Sequence, residues 1–106
     1  MINKKDRAIC HEFRERLSEH VKVIECRLFG SRARGDADED SDFDIFVEVE
    51  DNDEPTERII SDVAWEVGFG HGVVITTVVY SRKELEEGPM QESLLYKNVI
   101  REGVSI

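Results

Sequence analysis

The sequence predicts an α/β fold of the α+β kind, a small mixed sheet of about three strands with helices packed on it. Three observations lead there. An apolar stripe at helical spacing opens the chain, an alternation of period two runs through its middle, and a run of apolar residues and Thr follows a second helical pattern. The resulting order is helix, strand, loop, strand, helix, strand, helix. No repeat, low-complexity tract or linker interrupts it, and residues 1–106 are expected to form one domain.

Each element has its own signal. From Asp6 to about His20, Ala8, Ile9, Phe13 and Leu17 recur at three- and four-residue spacing, which predicts the first helix. Val21 to Phe29 is rich in β-formers and stops at Gly30-Ser31, which predicts the first strand. Residues 30–41 combine Gly, Arg, Ser and many acids, a composition that belongs at the surface. Between Asp42 and Glu50, Phe43, Ile45, Val47 and Val49 point one way and Asp42, Asp44, Glu48 and Glu50 the other, with Phe46 as the exception. That second strand is expected to be half exposed. Asp51 to Pro55 reads as a turn, and Ile59, Ile60, Val63, Ala64 and Val67 trace a helix ended by the glycines at 68, 70 and 72. Val73 to Tyr80 is expected as a third strand, covered on both faces and central in its sheet. After Gly88, Pro89 suits the first turn of a last helix carrying Met90, Leu94, Leu95, Val99 and Ile100.

Composition narrows the function. Fourteen Lys and Arg against 24 Asp and Glu leave a net charge of −10, a field that repels phosphate backbones and disfavours generic nucleic-acid binding. No apolar stretch approaches the ~20 residues of a membrane span, and the first residues offer no secretion signal, so a cytoplasmic protein without a membrane partner is expected. Cys10 and Cys26 stand sixteen apart without a CxxC and read as ordinary thiols.

The chemistry-bearing stretch is Leu28 to Val47, LFGSRARGDADEDSDFDIFV. Gly30 lets the backbone approach a phosphate, and Ser31 suits a cap behind it, so that free N–H groups and a hydroxyl face an anion. Arg32 and Arg34 are expected to grip phosphate oxygens. Asp42 and Asp44 alternate on one strand and share a face, an arrangement suited to Mg²⁺ with waters and phosphate as its other ligands.

Gly30-Ser31, ten intervening residues, then Asp42-Phe43-Asp44 resembles the GSx10DxD signature of the DNA polymerase β-like nucleotidyltransferases, and the short chain is similar to their minimal branch. The resemblance implies that Gly30 and Ser31 bind the triphosphate and that Asp42 and Asp44 hold the catalytic Mg²⁺. It also implies transfer of a nucleoside monophosphate, AMP from ATP foremost, to a hydroxyl. In the minimal branch the partner implied is a small helical protein of the HEPN type, opposed as toxin by an antitoxin-like nucleotidyltransferase, and a Tyr hydroxyl on it is the preferred acceptor. Association of the chain with further copies of itself is left open.

One departure from the family pattern stands out. The third carboxylate usual in the family belongs on the strand that here reads Gly72-Val73-Val74-Ile75-Thr76-Thr77, where Val74 or Thr76 takes its place. Glu48 shares the parity of Asp42 and Asp44 but lies ~13 Å along the strand from Asp44. Two other readings follow. The chain is alternatively a catalytically idle module that binds nucleotide and covers its partner, or a transferase acting on a small molecule.

Blander patterns stand beside these. The acids Asp36, Asp38, Asp40, Asp42 and Asp44 suggest a calcium loop, but position six would be Ser41 and position twelve Val47, so a solvated acidic turn is expected. His11, His20 and His71 lie in separate elements without ligand spacing. Arg14 and His20 fit the loose R-x5-H spacing of helical ribonucleases in a fold that does not suit it. Trp65 is expected in packing or at a partner interface.

Overall fold

The computed structural model describes residues 2–106. Helix α1 (Lys4–Ser18) is capped by Asn3, whose side chain accepts a hydrogen bond from the Asp6 backbone N–H at 2.7 Å. Ile9, Phe13 and Leu17 of its stripe are buried, as residues four apart on a helix should be when that face meets a core. Strand β1 (Val23–Phe29), a one-turn helix α2 (Ser31–Arg34), strand β2 (Phe43–Val49), helix α3 (Glu54–His71) and strand β3 (Ile75–Ser81) follow. Helices α4 (Arg82–Glu87) and α5 (Leu94–Glu102) flank a 3-10 turn at Pro89–Glu92, and a two-residue strand, β4 (Val104–Ser105), comes last.

The sheet order is β3-β2-β1-β4, with β1 antiparallel to β2 and β4, and β2 parallel to β3. This reverses one expectation. β2 is internal, and β3 is the edge strand, with Thr76 exposed on it. An apolar and Thr-rich run fits an edge as well as a centre when both of its faces are packed, Ile75 and Val79 against the larger core and Val78 and Tyr80 against the smaller one. The fourth strand, at two residues, is too short to leave a period in the sequence.

Both faces of the sheet are packed, which explains Phe46. Odd positions of β2, from Phe43 to Val49, join Cys26 and Leu28 of β1 against α1 and α3. On the opposite face Phe46 meets Tyr80, Leu85 and Val99 in a second, smaller core, with its ring edge-on to Tyr80 at 5.8 Å. Burial of each such large side chain is worth about 1.5–3 kcal/mol. Of the residues expected to bury the last helix only Val99 does so; Leu94, Leu95 and Ile100 are exposed, and the side chain of Met90 lies outside the described residues.

Helix α3 does not stop at its first glycine. It runs through Gly68 and Gly70 to His71, and Gly68 is needed for a close approach: a Cβ there would stand 2.6 Å from the Val73 carbonyl oxygen. The Val73 N–H donates back to the Gly68 carbonyl at 2.9 Å, which turns the chain straight from α3 into β3.

Cys10 and Cys26 are both fully buried in the larger core, and burial pushes each thiol up to about 12. Thiolate is the reactive form. Both cysteines are therefore expected to resist iodoacetamide at pH 8 in the native protein and to react fully in guanidinium chloride, as intact mass spectrometry would show.

Candidate functional site

The site is assembled where β1 hands over to β2. Their antiparallel register sets Phe29 opposite Asp44, so the turn that begins at Gly30 closes over the Asp44 side chain. Gly30 has φ 76° and ψ −159°, and a Cβ on it would lie 2.4 Å from Asp44 Oδ2. Any side chain there would force that carboxylate to move. The Gly30 carbonyl accepts hydrogen bonds from the Ala33 and Arg34 N–H groups, both at 3.1 Å. Gly30, and not Ser31, is therefore the cap of α2, and Ser31 is its first residue. The first N–H groups of a helix have no partner within it, which leaves this turn able to donate outward.

Asp42 and Asp44 arrive on one face, as strand parity requires. The Phe43 N–H between them donates to the Val74 carbonyl at 2.8 Å and fixes the entry of β2 against β3. Asp42 is exposed and Asp44 partly buried. Burial raises the Asp44 carboxyl above its ordinary range, the negative charge of Asp42 raises it further, and Arg34 opposes both. Two carboxylates close enough to repel are a donor set that fits Mg²⁺. Among the described residues no group of three His, Cys, Asp or Glu side chains is placed to hold a metal ion.

The parallel register pairs Asp44 with Thr76. Thr76 is thus the residue beside Asp44 on the same face, and β3 carries no acid. Glu48 lies at the far end of β2 opposite Glu25 in the register, with Arg82 at 3.8 Å, and does not join the pair.

The two arginines part company. Arg34 stays on the Asp44 side, bonded to Asp36 at 3.2 Å and to Glu102 of α5 at 2.9 Å. Arg32 turns to the other face, its guanidinium 4.4 Å from the centre of the Phe43 ring. There it donates to the Ser41 carbonyl at 2.8 and 3.1 Å and to the Glu39 carbonyl at 3.3 Å, and it pairs with the buried Asp6 at 3.4 Å. The structure does not bring Arg32 to the Gly30 turn. It clamps the acidic loop that leads into Asp42, and helix periodicity could not reveal a partner 26 residues away in sequence. Glu102 was also missed, because only the fold brings α5 beside α2. Trp65 is 66% exposed and stacks on Phe69.

The family model of the nucleotidyltransferase domain matches residues 10–104. A solved structure of a candidate minimal nucleotidyltransferase is similar at TM-score 0.71 and 26% identity, over 100% of this chain and 97% of that one. A toxin–antitoxin crystal structure with AMP-PNP is similar in fold at TM-score 0.66 and 21% identity, over 90% of this chain and 69% of that one. No curated protein matches the chain.

Proposed function

The chain belongs to the nucleotidyltransferase domain family and is a nucleotidyltransferase, and from that premise we propose that it moves AMP from ATP to a hydroxyl on a partner protein with the help of Mg²⁺. One observation carries the site assignment: the Gly30 backbone closes onto Asp44, with Asp42 on the same face. Residues 1–106 are read as one such domain.

Asp42 and Asp44 would hold Mg²⁺. When bound, the ion neutralises charge on the phosphates and on the departing pyrophosphate. Gly30, free of a side chain, admits the triphosphate to backbone N–H groups of the turn, Ser31 adds a hydroxyl, and Arg34 supplies positive charge at the same face. Arg32 contributes by position, since it holds the loop from which Asp42 projects. The acceptor oxygen attacks the α-phosphorus, the bond to the pyrophosphate oxygen breaks, and the acceptor proton leaves to solvent. Positioning and electrostatics carry most of such a reaction. Similarity to a toxin–antitoxin structure with AMP-PNP supports ATP as donor and a toxin as partner; the small helical HEPN type of that partner and a Tyr hydroxyl as acceptor are what the family resemblance implies.

Calorimetric titration with AMP-PNP tests the assignment. Saturable binding in Mg²⁺ that disappears with EDTA is expected, and binding indifferent to EDTA would overturn the metal's role. Arg34→Ala is expected to weaken that binding about tenfold, the scale of one charge-assisted phosphate contact, with partial recovery in Arg34→Lys.

A second reading is favoured by one feature, Thr76 beside Asp44 where the family has a third acid. A Thr hydroxyl is a poor metal ligand and no base near neutral pH. In that reading the chain binds nucleotide and covers its partner without transfer, so AMP-PNP titrations would look the same and only label transfer would separate the two.

A further inference from the structure

The outer side of β3 is paired to no other strand among the described residues. Beside that edge runs a groove of about 310 Å³ between α3 and β3, lined by Ala64, Trp65, Phe69, Val74, Ile75 and Thr77 among others. None of the lining side chains is charged. Trp65, Phe69 and Val74 are 66, 74 and 60% exposed, and the two rings stack at 5.0 Å with an 11° angle. An open row of strand N–H and C=O groups beside an exposed aromatic pair is what an added strand uses: the backbone supplies pairing and the groove takes one side chain.

The edge is continuous with the site. Ile75 and Thr77 face the groove, whereas Thr76 between them faces Asp44 across the parallel register. A strand laid on β3 alternates in the same way, so a residue anchored in the groove has its immediate neighbour on the Asp44 side. Asp44 then lies two strand spacings away, about 10 Å, a span that a long hydroxyl-bearing side chain crosses over Thr76 and a Ser does not. The net charge of −10 favours a basic segment.

We infer that the free β3 edge and the Trp65–Phe69 groove dock the acceptor protein, through an extended basic segment that adds to the sheet with an apolar side chain next to the acceptor Tyr. The inference rests on the transfer reading above, and its test separates the two. Random peptides as long as the seven residues of β3, flanked by Lys, are arrayed and probed with wild-type protein and with the Trp65→Ala, Phe69→Ala double variant. Both positions are exposed, so the variant keeps its core. Wild type is expected to enrich peptides with an apolar residue adjacent to Tyr, and the double variant to bind them at least about tenfold more weakly, the scale of an aromatic anchor. Binding should move the emission of Trp65, the only tryptophan, to shorter wavelength, and alternate N-methylation of the peptide should abolish it. No enrichment, or enrichment the double variant retains, overturns the inference. The enriched peptides are then given α-labelled ATP with Mg²⁺. Peptides that bind through the groove yet take no label leave the surface standing and remove the transfer reading; peptides labelled equally by the double variant leave transfer standing and remove the surface.

Discussion

Asp44→Asn is expected to lower nucleotidyl transfer by about 10²–10³-fold, the usual effect of removing one group from an electrostatically organised site, and at the same time to raise the thermal midpoint of the metal-free protein at neutral pH. The two effects have one cause. Asp44 is held beside Asp42 in a partly desolvated place, and both burial and the neighbouring charge raise its carboxyl above the unfolded value. In the range between the unfolded and the folded value the native state binds more protons than the unfolded chain, so stability falls as pH rises through it. The cost is absent below the unfolded value and present in full above the folded one. An uncharged Asn removes it, so the variant's gain in midpoint should be visible at pH 7 in EDTA and vanish at low pH. Added Mg²⁺ should stabilise wild type and leave the variant unmoved, because a ligand of the native state shifts the midpoint only where it binds. A variant less stable than wild type at every pH would contradict the repulsion inferred between the two carboxylates.

Gly30→Ala carries the second large effect. Its φ and ψ, 76° and −159°, lie in a region essentially restricted to glycine, where another residue costs about 1–3 kcal/mol. The added methyl would also fall 2.4 Å from Asp44 Oδ2, so the carboxylate must move before the chain can close. Loss of transfer together with a lower urea midpoint is expected. Gly70→Ala is the control. That glycine lies within α3 with nothing within 4 Å of its added Cβ, so the substitution should be neutral or stabilising by up to about 1 kcal/mol and leave transfer intact. A Gly30→Ala protein with wild-type transfer would show that the turn does not set the position of Asp44.

Much of this architecture could be read before the fold was known, and the reasons differ by element. The alternation from Phe43 to Val49 is legible because one face of β2 is wholly buried, and Asp42 and Asp44 follow from the same parity. The GSx10DxD spacing is legible because backbone geometry and two carboxylates must converge there, and the fold does place Gly30 on Asp44. Sheet order was not legible. Val, Ile and Thr in β3 report that a strand forms, not which neighbours it finds, and its edge position follows from β1 lying on the other side of β2. The α4 segment carried a readable cue, Ser81 three residues before Glu84, which forms a capping box with the Ser81 N–H donating to Glu84 at 3.1 Å. The direction of the Arg32 side chain was not legible, because its partners Asp6 and Ser41 come from outside the Gly30 turn.

These positions differ in what they demand of the chain. Asp44 is held beside the like charge of Asp42 in a partly buried place that stability alone would not select, whereas Arg32 and Asp6 form a buried ion pair that holds the loop in place. An unfavourable carboxylate pair beside a satisfied scaffold is expected of a site organised for a ligand.

Label transfer from ATP marked at the α-phosphate, with Mg²⁺, into proteins of the source lysate is the most direct test of Asp42 and Asp44 as the centre of a working transferase. A labelled protein band is expected with wild type and should be lost with Asp42→Asn, its mass naming the acceptor. Labelling that persists in Asp42→Asn, or no labelling by wild type with a small helical partner present, would contradict it.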